Sequence, residues 1–441
     1  MTVENVLLVT VDSLRYDATE PAETLESLGE IGEWFEHAYA TGPGTTPSFP
    51  AMLTGTLPLS HGGLGPLTAE RPRVAAFLRE AGLATGGFQC NPFLSTHFAY
   101  DHGFDSFEDY QNPLMGVATR IFPRGIELNN RKLERVDELL GVTDMIKWAY
   151  QAVAGKPRPY VSAEVITDDV VDFLEETDGP FFCWTHYMDV HHPCHPPASY
   201  RERFGVGDVT QTEVSEWYSA LLRKPKALSD AEIDAMERLY EAAVAYTDNQ
   251  LTRIVNTLRR QGRFNDTLVI ITSDHGELFG DHGEYGKPEL LYDELLRVPL
   301  VVCNGPPSLS EAADDLVSLL DLPPLFHDVL GLDVPEVYTG RCPGVDEPRE
   351  YVCAEHEVEG DVVVGARSRR WRYTVDEIND DRRLVNLSTG ERVDPDEKPD
   401  AGQLVREAVD RRLSALDVDS EYLQSEVDDD VEGRLEELGY L

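Results

Sequence analysis

LVIITSDH (Leu268–His275) is a continuously apolar run that stops abruptly in an acid and an imidazole. Leu268, Val269, Ile270 and Ile271 follow one another without alternation, as in a short strand buried on both faces of a sheet. The same pattern recurs at VLLVTVD (Val6–Asp12) and, without the terminal acid, at Ala84–Phe88, Phe181–Trp184 and Pro299–Val302. Helical segments fall between these runs. The clearest spans Ser229–Arg260, where Ser229 and Glu232 have capping-box spacing and Gly262 follows a basic last turn. Alternating strands and helices predict an α/β fold, a mostly parallel sheet covered by helices on both faces. Ligands of such sheets bind beyond the carboxyl ends of strands, which is where Asp12, Asp274 and His275 stand. A lone Asp after a strand serves equally as a turn former or helix cap, so it is their combination that points to chemistry.

The 441 residues suffice for two or three domains. Residues 1–335 read as one large domain that carries the acid-tipped strands. The Pro- and Gly-rich stretch Pro335–Pro348 marks its end, and residues 336–400 read as a small strand-rich subdomain, with pieces at Val362–Ala366 and Trp371–Val375. Residues 401–441 read as an acidic helical tail packed on the domain. Apolar residues at 41% and charged residues at 27% exclude disorder, collagen and a disulfide scaffold. A net charge of −43 opposes binding to nucleic acid or anionic membrane, which needs clustered Lys and Arg. Only seven of the 38 basic residues are Lys and the acids are spread along the chain, a pattern resembling proteins of salt-loving organisms. Six Cys without a CxxC pair read as buried free thiols. The N-terminus lacks a basic, cleavable leader and no apolar run reaches the ~18 residues of a membrane span, so a soluble cytoplasmic chain is expected.

TTPSFPAMLTG (Thr45–Gly55) lies between the two acid-tipped strands, after the flexible Gly42-Pro43-Gly44. It resembles, without a gap, the signature Cys/Ser-x-Pro-Ser-Arg-x-x-x-Leu-Thr-Gly of the sulfatase branch of the alkaline phosphatase superfamily. NVLLVTVDSLRYD (Asn5–Asp17) is similar to that family's opening strand and first metal-binding Asp. The stretch from Thr272 to Val302 resembles its second metal segment, FFCWTHYMDVHHPCHPP (Phe181–Pro197) its His-x-Pro region, and RLEELGYL at the C-terminus its usual tail. The resemblance implies an alkaline-phosphatase-like fold and a metal-dependent ester hydrolase or transferase.

On that match Asp12, Asp274 and His275 hold one divalent ion, with Thr45 Oγ as the fourth ligand. Two carboxylates and an imidazole suit Mn²⁺, then Zn²⁺, better than Ca²⁺ or Mg²⁺, which prefer all-oxygen shells; family members with Asn at the position of His275 use Ca²⁺. A second metal calls for an Asp-x-x-x-His spacing, but the fourth place after Asp189 is Pro193; His186, His191, His192 and His195 leave the question open. Lys287, thirteen residues after Asp274, falls where the resemblance places a substrate-binding Lys. His191 and His282 resemble residues that contact the anionic group or protonate the leaving oxygen. His61, Asn91, Arg15 and Asp189 are weaker candidates, for which packing or capping is an equal reading.

Three positions depart from the sulfatase pattern. Thr45 cannot become formylglycine, Phe49 replaces the accompanying Arg, and Gly86-Gly-Phe-Gln-Cys-Asn91 stands where the family has Gly-Lys-Trp-His-Leu-Gly. Thr is the nucleophile of related phosphodiesterases and phosphoethanolamine and phosphoglycerol transferases. The expectation is therefore a phosphate mono- or diester substrate, a small molecule, glycan or lipid head group, attacked by metal-activated Thr45 to give a covalent intermediate. The alternatives are sulfate ester hydrolysis without formylglycine, and a non-catalytic protein that binds an anionic glycan. Asn112–Arg158 and Ser199–Pro225 carry no motif and read as a cover over the site. The sequons at Asn265 and Asn386 are expected to go unused in a cytoplasmic chain.

Overall fold

The computed structural model describes residues 3–61, 63–110, 160–223, 225–358, 360–395 and 397–416. Its centre is a seven-stranded sheet in the order β2-β10-β7-β1-β6-β4-β5. In chain order these strands are β1 (Asn5–Val11), β2 (Glu33–Trp34), β4 (Ala84–Gln89), β5 (Ser106–Glu108), β6 (Phe181–Tyr187), β7 (Thr267–Ser273) and β10 (Leu300–Cys303). The short β3 (Ala38–Tyr39) pairs with β11 (Val317–Ser318), and β8 (Leu278–Phe279) with β9 (Tyr285–Gly286). β1 runs parallel to both β6 and β7, and β4 parallel to β6 and β5.

One expected parallel strand runs the other way. β10 is antiparallel to β7, with Val301 opposite Ile271. A parallel neighbour needs a crossover that carries the chain back to the starting end of the sheet. Residues 274–299 make no such crossover: they form the β8–β9 hairpin and the short helix Asp293–Leu296, and the chain returns from the end at which β7 stopped.

The apolar run of β1, broken by Thr10, reflects two cores. Val6 and Leu8 join the side covered by helices Thr45–Thr54, Val74–Glu80 and Leu322–Val329, while Leu7, Val9 and Val11 join the side covered by Glu23–Ile31, Ala163–Glu176 and Asp230–Arg260. Helix Asp230–Arg260 begins with the capping box anticipated from Ser229 and Glu232.

Beyond the main sheet lies a five-stranded antiparallel meander, β12 (Val352–Val358), β13 (Asp361–Arg367), β14 (Trp371–Asp376), β15 (Asp381–Asn386) and β16 (Glu391–Val393), backed by helix Gln403–Ala415. The terminal RLEELGYL and the segment Asn112–Arg158 lie outside the described residues. The meander is tied to the catalytic side at Glu355. Its backbone N–H donates to Thr41 O at 2.8 Å, and its buried carboxylate accepts from Leu59 N at 2.7 Å and from Arg412 Nε at 2.6 Å. Thr41 Oγ1 in turn donates to Pro47 O at 3.1 Å, which steadies the turn that carries Thr45. Among the described residues no helix is long and apolar enough to cross a membrane.

Candidate metal centre and nucleophile

Four neighbouring parallel strands, β7, β1, β6 and β4, discharge their polar residues at one end of the sheet. Asp12 follows β1, Asp274 and His275 follow β7, His186 lies near the end of β6, and Asn91 stands just past β4. Thr45 begins helix Thr45–Thr54, so it sits at the positive end of a helix dipole, where an oxyanion is stabilised. Gly55 closes that helix in the left-handed conformation, φ +67°, which an L side chain adopts only with strain.

One ligand atom from each of Asp12, Asp274 and His275 lies within 4.8 Å of the others, and all three side chains are completely buried. Thr45 Oγ1 is 3.3 Å from Asp12 Oδ2 and 3.4 Å from His275 Nε2. His275 Nδ1 lies 2.7 Å from the Gly276 carbonyl, to which it donates; this tautomer leaves the Nε2 lone pair for a metal. Gly276 is forced by closeness, since a Cβ there would lie 2.0 Å from Glu294 O.

The donor set fits a divalent cation on two counts. Asp274 Oδ2 is buried without a hydrogen-bond partner. In addition, two carboxylates in one dry site cannot both ionise without a compensating charge. Burial pushes Asp12 up, but His191, a hydrogen bond to His186, Lys287 and His275 outweigh it and hold the acid well below its usual range. Burial and the charge on Asp12 push Asp274 well above. Burial and Lys287 bring His275 down to about 4, so its imidazole is neutral, as a metal ligand must be.

Lys287 Nζ reaches Ser13 Oγ at 3.3 Å and Asp12 Oδ1 at 4.0 Å. His191 is buried beside this cluster with Nδ1 against the His192 carbonyl; burial and Lys287 push it down to about 3. His282 is not brought in. It occupies the turn between β8 and β9 with φ +58°, and its imidazole contacts are Glu294 at 3.1 Å and the Tyr292 ring, stacked at 4.1 Å. Of the weaker candidates, Arg15 pairs with Asp17 and Asp281, Asp189 caps helix Ala163–Glu176 through Ala163 N, and His61 is exposed.

Asn91 matters more than its sequence context suggests. Its Nδ2 donates to Asp12 Oδ2 at 3.0 Å and lies 3.4 Å from Thr45 Oγ1, while its Oδ1 accepts from Phe93 N, which fixes the amide with its N–H groups toward Thr45. Sequence reasoning gave Ser13 no role. Its φ of +60° turns both polar groups inward, Oγ donating to Asp12 Oδ1 at 2.7 Å and N–H to Asp274 Oδ1 at 3.3 Å. His186, considered above for a second metal, instead braces the first site: Nε2 is 3.2 Å from Asp12 Oδ2 and Nδ1 3.0 Å from Thr10 Oγ1. Among the described residues, the Asp12–Asp274–His275 group is the cluster with metal-ligand geometry.

Phe49, where the sulfatase signature has Arg, is fully buried. Its ring meets Trp184 at 5.5 Å and the edge of His186 at 4.8 Å, so the departure from Arg completes an apolar wall behind Asp12. Helix Gln211–Arg223, from the segment expected as a cover, lays Tyr218 flat on His192 at 5.1 Å.

The family model described as Sulfatase matches residues 4–332. The chain belongs to the sulfatase family. An uncharacterized sulfatase of Escherichia coli, YidJ, is 26% identical over 419 residues, covering 85% of this chain and 77% of the relative. The multifunctional alkaline phosphatase superfamily protein PehA of Trinickia caryophylli is 25% identical over 401 residues, covering 77% and 76%. Among solved structures, the phosphonate monoester hydrolase of Silicibacter pomeroyi superposes with a TM-score of 0.69 at 20% identity, covering 94% of this chain and 96% of its own. That likeness establishes the sulfatase-family fold: an alkaline-phosphatase-like, mostly parallel sheet with helices and a C-terminal antiparallel sheet.

Proposed function

We propose that this sulfatase-family protein is a single-metal hydrolase or transferase of phosphate mono- or diesters that works through a covalent Thr45 intermediate. The observation that carries the reading is the position of Thr45 Oγ1, 3.3 Å from Asp12 Oδ2 and 3.4 Å from both His275 Nε2 and Asn91 Nδ2. Asp12, Asp274, His275 and Thr45 would hold a divalent ion, which would supply Lewis acidity toward the Thr45 hydroxyl. Asp12 Oδ2 accepts the hydrogen bond of the Thr45 hydroxyl. Thr45 gives up its hydroxyl proton along that hydrogen bond, for passage to solvent, and the Thr45 Oγ–phosphorus bond forms as the phosphorus–oxygen bond to the leaving alcohol breaks. Lys287, the Asn91 amide and the start of helix Thr45–Thr54 offset charge on the equatorial oxygens. His191 is neutral at pH 7 and gives its Nδ1 proton to a carbonyl. It becomes an acid for the leaving oxygen only once an incoming anion raises its pKa. Attack by water on phospho-Thr45 completes hydrolysis, and attack by an alcohol completes transfer.

Thr45 and Phe49 support phosphate over sulfate, because neither formylglycine nor its partner Arg can form here. The second reading, direct attack of Thr45 on a sulfate ester, draws support from the family description and the E. coli relative. Parallel assays of 4-nitrophenyl sulfate, 4-nitrophenyl phosphate and bis(4-nitrophenyl) phosphate in Mn²⁺-supplemented, high-salt buffer separate the two. The proposal expects a phosphate ester to have the highest kcat/KM; sulfate turnover well above both would overturn it.

A further inference from the structure

Glu277 stands two residues beyond His275, is completely buried, and has no hydrogen-bond partner on either carboxylate oxygen. A buried acid in that condition is unfavourable unless something answers it, and such groups concentrate at functional sites. The backbone shows what lies opposite. β8 and β9 pair Phe279 with Tyr285 and Leu278 with Gly286, so the next step of the same register brings Glu277 level with Lys287. Glu277 Oε1 lies 3.8 Å from the point that a Cβ on Gly286 would occupy, and Tyr218 Oη 4.0 Å from the same point, which puts the carboxylate close to the residue that precedes Lys287. Lys287 exerts the strongest influence of any charged group on Glu277. On its other side the Lys287 ammonium donates to Ser13 Oγ and faces Asp12 Oδ1 at 4.0 Å.

We propose that Glu277 is a positioning residue for Lys287, its carboxylate setting the ammonium between Ser13 and the nucleophile so that the cation meets the substrate's anionic group. The inference rests on the reading of Lys287 as the substrate-binding cation. It gives the buried acid a purpose that neither metal ligation nor packing supplies, since Glu277 has no partner among Asp12, Asp274 and His275.

A double-mutant cycle tests it, with Glu277→Gln, Lys287→Met and the pair, reading kcat/KM for bis(4-nitrophenyl) phosphate, the Kd of inorganic phosphate and the Kd of Mn²⁺. Glu277→Gln is expected to lower kcat/KM and weaken phosphate binding about ten- to hundredfold, the order expected when a charge opposite an ammonium is neutralised in a buried site, with Mn²⁺ affinity unchanged. In the Lys287→Met background the same change should add less than about twofold, within the usual scatter of additive pairs. An equal loss in both backgrounds, or a fall in Mn²⁺ affinity that matches the loss of rate, would overturn the proposal. Should Glu277→Gln not fold, Glu277→Asp keeps the charge, and its smaller loss should likewise vanish in the Lys287→Met background. If the wild-type protein turned over no phosphate ester, the proposed function would fail, while the phosphate-binding cycle would still decide the role of Glu277.

Discussion

Replacing Asn91 separates a structural contribution from a chemical one within a single side chain. The Asn91 amide divides its work: Oδ1 accepts from Phe93 N at 3.0 Å as the cap of a short helical turn, while Nδ2 donates to Asp12 Oδ2 at 3.0 Å beside Thr45. Asn91→Ala removes both. Loss of the cap lowers stability by about 1 kcal/mol. Loss of a hydrogen bond to a charged acceptor is worth about 1.5–3 kcal/mol, so kcat/KM should fall about ten- to hundredfold at 1.4 kcal/mol per tenfold. Asn91→Asp retains the cap acceptor but sets a second buried carboxylate against Asp12, so it should lose stability despite the cap and lose at least as much activity as Ala. The assay is bis(4-nitrophenyl) phosphate turnover beside urea unfolding of all three proteins. Activity of Asn91→Ala within twofold of wild type would refute the assignment of the amide to the nucleophile. An Asp variant as stable as wild type would refute the placement of the amide against the Asp12 carboxylate.

Metal uptake should be proton-linked: Asp274 is held well above its usual pKa by burial and Asp12, and must lose its proton to ligate, so Mn²⁺ affinity should fall as pH drops through the raised value. Calorimetry in buffers of different ionisation enthalpy reports the released proton, and Asp274→Asn should abolish its release. With a net charge of −43, self-repulsion opposes compaction, and molar KCl should raise the melting temperature steeply; a flat profile from dilute buffer to molar salt would contradict this reading of the charge.

The strands and the candidate metal cluster were legible because local pattern determines both. A strand buried on two faces is largely apolar, so β1 and β7 announced themselves, and the ionisable residues at their tips, Asp12, Asp274 and His275, stood out against that background. The capping box of helix Asp230–Arg260 is local in the same sense. What the sequence withheld depends on which strands become neighbours. Asn91 and His186 meet Asp12 because β4 and β6 lie beside β1, an order set by packing of helices on both faces rather than by any one segment. Ser13 matters through a left-handed backbone that its residue type does not signal. β10 reads as apolar in either direction, so its antiparallel course was invisible in composition. His282 shows the converse: it lies near Asp274 and His275 in sequence, but the tip of the β8–β9 turn carries its imidazole to Glu294 and Tyr292.

The central claim is that Thr45 Oγ becomes bonded to the transferred group, and quenched-turnover mass spectrometry addresses it directly. Acid-quenching the protein during turnover of a phosphate ester in Mn²⁺ should yield a Thr45-containing peptide carrying one phosphate, absent from Thr45→Ala, whose rate should fall by orders of magnitude. An unmodified Thr45 peptide throughout steady-state turnover, together with a Thr45→Ala protein that retains wild-type kcat, would contradict the account.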